Sequence, residues 1–302
     1  MPAAPKENDI LFCTDLVNRI RAPFQISSRY APKDAQLRLL AGHAFLCAIE
    51  EAVGSTRDPG VARARLAWWH HELLESNSSG SQHPIPRLLA DSGAFKTLDR
   101  DCIKTELQAA MARVDREALV SQQALAQMCR ELGENQWKLE RSLGISASKT
   151  AKAVPPRVCA VGLMQVFRES LRSAFLGFWW IPLAVSARIG VSRDALPRRI
   201  DRSCASALLQ VIQETLDLQH SMGEAVGAGG LPGSSDDVPA VRHWSVYARL
   251  ESERLARLRA SAHEDWLAEL SRLRLADVWI AWRQARRFRH LADDRQERVG
   301  GR

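Results

Sequence analysis

The spacing of apolar residues limits this chain to helices. From Ala35 to Val53, Leu39, Leu46, Ile49 and Val53 recur at three- to seven-residue steps, which places them on one side of an α-helix. Val158, Val161, Met164 and Phe167 do the same further along, as do Leu66, Trp69 and Leu73. Few segments alternate with period two, so strands are not expected. The helices share no fixed repeat length, which argues against a solenoid. The expectation is an all-α fold, a single helical domain of about ten helices.

Breakers divide the helices. Asp58-Pro59-Gly60 interrupts the chain between a helix ending near Val53 and one over 61–75. Residues 76–83 (SNSSGSQH) read as a polar loop. Pro84 and Pro86 restart a short helix with Leu88 and Leu89, since proline suits a first helical turn. Helices are expected over 99–115 and 117–143, the second closed by Gly144. Pro155-Pro156 opens one over 157–176, and 205–226 and 241–289 are helical in pattern. Residues 1–9 read as a flexible start, 10–290 as the helical domain, 227–239 (GAGGLPGSSDDVP) as a loop within it, and 291–302 as a frayed tail.

A chain of 302 residues can bury a large core without metal or disulfide staples. Its six cysteines are far apart, with no Cys-x-x-Cys pair. Zinc-finger and thioredoxin spacings are thus absent, and a reducing cytoplasm is the simplest compartment. The first thirty residues hold no long apolar run, against a signal peptide. The longest apolar stretch, near 175–185, is broken by Pro182 and is too short to span a bilayer. A net charge of +7 suits an anionic partner such as a diphosphate or an anionic membrane face. No basic run is interleaved with aromatics for base stacking, so nucleic acid is not an expected partner.

No phosphate-binding Gly-rich loop, dinucleotide fingerprint or nucleophile elbow is present. His70 and His71 are adjacent on a helix and point about 100° apart, so they read as surface residues rather than a metal pair. Glu50-Glu51 is a carboxylate pair on an otherwise apolar helix, and Glu169 lies on another beside Arg168. Carboxylates on facing helices can hold Mg²⁺, which grips diphosphate oxygens. Singly, each also fits a solvated charge at the edge of an apolar face. Ser27-Ser28-Arg29-Tyr30 precedes a helix beginning near Pro32-Lys33-Asp34. It suits an anion pocket or, equally, a plain N-cap.

In order, these segments resemble the squalene/phytoene synthase family. Residues 23–32 (PFQISSRYAP), with Leu40 and His43-Ala44-Phe45, are similar to that family's opening. Residues 61–69 with Glu72-Leu73, His83-Pro84, Gly162 to Glu169, Trp180-Ile181-Pro182 and 190–196 (GVSRDAL) resemble later segments. The likeness runs over about residues 10–290. It implies the isoprenoid synthase bundle around a central cavity, two acidic motifs binding Mg²⁺, and prenyl diphosphates as substrates. By that resemblance Glu50, Glu51 and Glu169 stand where the metal ligands belong, and Ser27, Ser28, Arg29 and Arg168 where diphosphate is held. No catalytic residue is assigned.

The departures shape the functional expectation. The first family motif reads Asp-Asp-x-x-Asp, whereas this chain has Glu50-Glu51-Ala52-Val53-Gly54. The second places acids four apart, where this chain has Glu169 and Ser173 with Arg172 between them. Fewer carboxylates give Mg²⁺ fewer oxygens to bind. The expectation is a family-like protein with eroded metal motifs and weak or no prenyl transfer. It would keep a prenyl or lipid ligand, or an assembly role with a protein partner or at the inner face of a membrane. The alternative is an active, Mg²⁺-dependent head-to-head prenyltransferase.

Overall fold

The computed structural model describes residues 5–75, 81–115, 119–143, 157–172, 180–189, 209–218, 238–260 and 272–286. Among them are twelve α-helices and no strand, as the periodicity requires. In chain order they are α1 (Glu7–Ile20), α2 (Phe24–Ser27), α3 (Lys33–Gly54), α4 (Pro59–His70), α5 (Pro84–Asp91), α6 (Arg100–Asp115), α7 (Gln122–Ser142), α8 (Val158–Arg172), α9 (Leu183–Ile189), α10 (209–218), α11 (Val238–Ala260) and α12 (275–286).

Helix α3 is the axis of the bundle. Most of its 22 residues are buried, from Ala35 to Gly54, so it is apolar nearly all round rather than on one stripe. It packs against α1, α4, α5, α6, α7 and α8. The closest helix pair is α7 with α8. Two glycines make that approach. A Cβ on Gly133 of α7 would stand 1.9 Å from the Val158 carbonyl oxygen, and one on Gly162 of α8 would stand 1.9 Å from the Cys129 carbonyl oxygen. The two backbones thus touch at two points one turn apart, which only a residue without a side chain permits. Helix α11 closes the bundle over α8 and α2.

Several boundaries differ from the sequence expectation, each for a local reason. The first helix begins at Glu7, inside the segment expected to be flexible. Glu7 and Asp9 suit its positive end, and buried Asp9 accepts from Arg87 Nε at 2.9 Å. Asp58-Pro59-Gly60 starts α4 rather than merely breaking the chain. Asp58 accepts from the Gly60 amide at 2.7 Å, and Pro59 takes the first helical position. The helix expected from 117 begins at Gln122, because the Ser121 hydroxyl caps the Ala124 amide at 3.2 Å. The helix over 61–75 widens into a π-turn at His71–Glu75, where both His70 and His71 face Glu75. Ser27 and Ser28 do not cap α3. They lie in α2 and a following 3₁₀ turn, and Pro32 precedes α3 without any side-chain cap. Gly144, Trp179, 190–196, the 227–239 loop and the 291–302 tail lie outside the described residues.

The glycine contact gives a direct test. Gly133→Ala or Gly162→Ala must push α7 and α8 apart against backbone atoms, which cannot rotate away. Each is expected to lower unfolding free energy by about 3 kcal/mol, overriding the roughly 1 kcal/mol that alanine gains in helix propensity. Urea or guanidinium titration followed by circular dichroism reads the change. Unaltered stability in both variants would contradict the close approach.

Candidate functional site

Charged side chains fill the space between α1, α3, α6, α7, α8 and α11, in three connected groups. The first centres on Glu50 of α3. Arg21, just past the end of α1, donates from Nε to Glu50 Oε1 at 2.8 Å. Arg168 of α8 donates to both Glu50 oxygens at 3.3 and 3.4 Å and from Nη1 to Glu251 of α11 at 2.7 Å. The side chains of Arg21, Arg168 and Glu251 have no solvent-accessible surface, so no water-sized space adjoins them.

The second group centres on Arg113 of α6. It donates to Glu169 of α8 at 3.1 Å and to Glu106, two turns earlier on its own helix, at 3.4 Å. Gln165 and Asn135 donate to the two Glu106 oxygens at 3.2 and 3.0 Å. The third group centres on Glu140 of α7. Its Oε1 lies 2.9 Å from His43 Nε2 and accepts from Gln136 Nε2 at 2.9 Å. Gln136 Oε1 accepts from Arg21 at 2.7 Å, which joins this group to the first. His243 of α11 brings Nε2 to 3.4 Å from Glu140 Oε2.

Burial and neighbouring charge set the protonation of these groups. Burial pushes the Glu169 carboxyl up to about 7, with Glu50 and Glu106 adding to the effect and Arg113 opposing it. Burial holds His43 down to about 4, although Glu140 pulls the other way. Burial would raise Glu140, but His43 and His243 overcome it and keep that carboxyl below the usual range. Arg168 stays protonated because Glu50 and Glu251 outweigh its burial.

The residues expected to act together are separated by this arrangement. Glu50 and Glu169 both face the interior, each engaged by arginine. Glu51 points outward, half-buried, and pairs with exposed Arg19 of α1 at 2.7 Å. Ser27 is buried with its hydroxyl 3.4 Å from the Phe24 carbonyl. Arg29 is exposed, Ser28 is half-buried, and Arg168 is sealed inside, so the four diphosphate-binding candidates do not share one surface. The side chain of Arg172 and all of Ser173 lie outside the described residues. Trp180 is a packing residue, fully buried, with its indole N–H bonded to Ser170 at 2.6 Å.

The sequence reading missed Arg21, His43, Glu106, Arg113, Asn135, Gln136, Glu140, Gln165, His243 and Glu251. A signal existed for some of them. Glu106 and Arg113 are seven apart, Gln136 and Glu140 four apart, and Gln165 and Glu169 four apart. These steps stack polar side chains on one helical face. Nothing in the sequence said which of those faces was the inward one.

A model of squalene/phytoene synthases matches residues 17–277. The chain belongs to the squalene/phytoene synthase family. A solved structure titled as a dehydrosqualene synthase in complex with ligand is similar in fold. The TM-score is 0.64 at 13% identity, covering 95% of this chain and 98% of the other. No curated protein matches. The isoprenoid synthase-like helical fold follows from these comparisons.

The raised Glu169 carboxyl makes stability depend on pH in a definite direction. An acid whose native pKa of about 7 exceeds its ordinary 4.5 binds its proton more tightly when folded. Its contribution is therefore complete below pH 4.5 and is lost as pH rises through 7. Glu169→Gln fixes the neutral form. Relative to the parent, this variant is expected to gain on the order of 2 kcal/mol between pH 5 and pH 8. Denaturant titrations of both proteins at the two pH values read that difference. A constant gap would show that Glu169 is ionised throughout.

Proposed function

We propose that this squalene/phytoene synthase family member has replaced metal-bound diphosphate chemistry with an internal arginine–carboxylate lattice. On this reading prenyl transfer is weak or absent, and the fold serves to bind a prenyl or other lipid ligand or to assist assembly. One observation carries the reading. The acids at the two motif positions, Glu50 and Glu169, are each gripped by guanidiniums of the chain itself.

Mg²⁺ chemistry is typical of the family, and these side chains do not fit it. Mg²⁺ wants an octahedron of oxygens with open lone pairs. Both Glu50 oxygens and one of Glu169 already accept from arginine. A metal ion there would stand against fixed positive charge. Freeing either acid would leave a buried charge unpaired, at a cost of about 3–5 kcal/mol. Glu51, the remaining candidate ligand, faces the opposite way toward Arg19. Of the four diphosphate candidates, Ser28 and Arg29 keep solvent access, so an anionic ligand end would meet those two first.

The assay is incubation of the purified protein with farnesyl or geranylgeranyl diphosphate and Mg²⁺. The expected result is diphosphate release no faster than without protein, with ligand binding still visible by calorimetry. Rapid turnover would support the alternative, an active head-to-head prenyltransferase, which draws on the family match across 17–277. Absence of any binding would leave the assembly role.

The outer face of α12 supports a membrane-surface location. Leu275, Val278, Trp279 and Trp282 follow at helical steps and are 91%, 50%, 56% and 48% exposed. Arg283 stacks over Trp279 at 4.6 Å and Arg286 over Trp282 at 5.1 Å. The opposite face seats Ala281 and Ala285 against Val246 and Leu250 of α11. No described helix is long and apolar enough to cross a membrane. Tryptophan with arginine on a helix held parallel to the surface suits an anionic lipid interface. Co-sedimentation with phosphatidylcholine vesicles is expected to be weak, and to rise about tenfold or more when phosphatidylserine is included. Trp279→Ser with Trp282→Ser should abolish the rise. Equal binding to both vesicle types would contradict the proposal.

A further inference from the structure

We propose that His43, Glu140 and His243 form a buried binding site for one transition-metal ion of the zinc class, which clamps α3, α7 and α11 together. This site is separate in chemistry from the family's Mg²⁺ ligands, and it holds whether or not the chain turns over prenyl diphosphates.

The geometry comes first. One ligand atom from each of the three side chains lies within 4.8 Å of the other two. His43 Nε2 stands 2.9 Å from Glu140 Oε1, and His243 Nε2 stands 3.4 Å from Glu140 Oε2. Ligands about 2.0–2.1 Å from a tetrahedral zinc ion are roughly 3.4 Å from one another. The His243 spacing equals that value, the His43 spacing to the other carboxylate oxygen is shorter by about 0.5 Å, and no pair exceeds 4.8 Å, so small side-chain rotations suffice.

The hydrogen-bond accounting points the same way. All three side chains are at most 1% exposed. Yet His43 Nδ1 and His243 Nδ1 have no hydrogen-bond partner among the described residues, and Glu140 Oε2 and His243 Nε2 have only their long 3.4 Å contact with each other, outside good hydrogen-bond geometry. A buried polar atom left so costs about 1–3 kcal/mol. Glu50 and Glu106, by contrast, each draw three donors, and the unpartnered oxygens of Glu169 and Glu251 belong to carboxylates already held by an arginine. A cation between the two rings and the carboxylate would use Glu140 Oε2 and one nitrogen of each imidazole. Gln136 already holds Glu140 from behind, donating to Oε1 at 2.9 Å, as an outer partner of a metal ligand should. Tyr247, one turn beyond His243, adds a buried hydroxyl without a partner among the described residues, its ring centred 5.2 Å from that of His43.

Charge is the third argument. The three connected groups hold three guanidiniums, of Arg21, Arg113 and Arg168, against five carboxylates, of Glu50, Glu106, Glu140, Glu169 and Glu251. Buried Arg254, which donates to the Arg272 carbonyl, and the raised Glu169 carboxyl offset most of that excess, so the imbalance that remains is local. The deficit falls at Glu140, whose two neighbours are imidazoles rather than arginines. A divalent cation there would offset it. Two nitrogens and one carboxylate select zinc or cobalt over magnesium, which prefers oxygen alone.

The experiment uses the full chain without a histidine tag, produced in zinc-supplemented medium. Elemental analysis is expected to find about one zinc per chain. Replacement by Co²⁺ is expected to give the visible bands of a four-coordinate nitrogen and oxygen site, without the near-ultraviolet charge-transfer band of a thiolate. His243→Asn should bind zinc at least about tenfold more weakly, since even outer partners of metal ligands contribute that much. The parent protein alone decides the matter if that variant does not fold. Zinc far below one per chain, with no cobalt bands, would overturn the proposal. So would a thiolate band, which would move the metal to a cysteine.

Discussion

The interior of this protein depends on the Glu50 carboxylate being held by two guanidiniums, Arg21 from the end of α1 and Arg168 from α8. Taking such charges out of water costs several kcal/mol per ion, and only close pairing with further hydrogen bonds returns it. The pairing cannot stop at one contact. Arg168 needs Glu251, Arg21 needs Gln136, and Gln136 needs Glu140, so satisfaction of one charge calls for the next. Five helices, α1, α3, α7, α8 and α11, are tied by these demands. An apolar core of the same volume could be at least as stable. What the charges add is a single permitted arrangement, because few alternative packings would bring each buried guanidinium against a carboxylate.

The same contacts bear on the family's chemistry. In a metal-dependent synthase the carboxylates face a cavity and wait for Mg²⁺ and diphosphate. Here the positive charge at Glu50 and Glu169 is covalently part of the chain. A covalently tethered cation neither leaves with product nor exchanges with solvent. On the proposed reading, the interior has the electrostatic character of a loaded site, fixed at the moment of folding.

Most of the architecture could be read from sequence. Apolar steps at Leu39, Leu46, Ile49 and Val53 foretold α3, and those at Val158, Val161, Met164 and Phe167 foretold α8. Helix starts were harder, since Ser121 and Asp58 act as caps through side-chain bonds that periodicity does not register. The acids Glu50 and Glu169, read as candidate metal ligands or as solvated charges at the edge of an apolar face, are both buried against arginines, whereas Glu51, their neighbour in the motif, turns to the surface. Their partners were hidden. Arg21 meets Gln136 across 115 positions and Arg168 meets Glu50 across 118. Such encounters belong to tertiary packing, and no local pattern encodes them.

The backbone contact of Gly133 with Val158 and of Gly162 with Cys129 has a consequence for how this lattice is kept aligned. Two opposed notches, one on each helix, act as a locking pin against sliding. Helix α7 carries Asn135, Gln136 and Glu140 just beyond its notch, and α8 carries Gln165, Arg168 and Glu169 just beyond its own. A slip of one turn, about 5.4 Å, would strand every one of those groups at once. Two missing side chains thereby hold in step the most costly charges in the molecule.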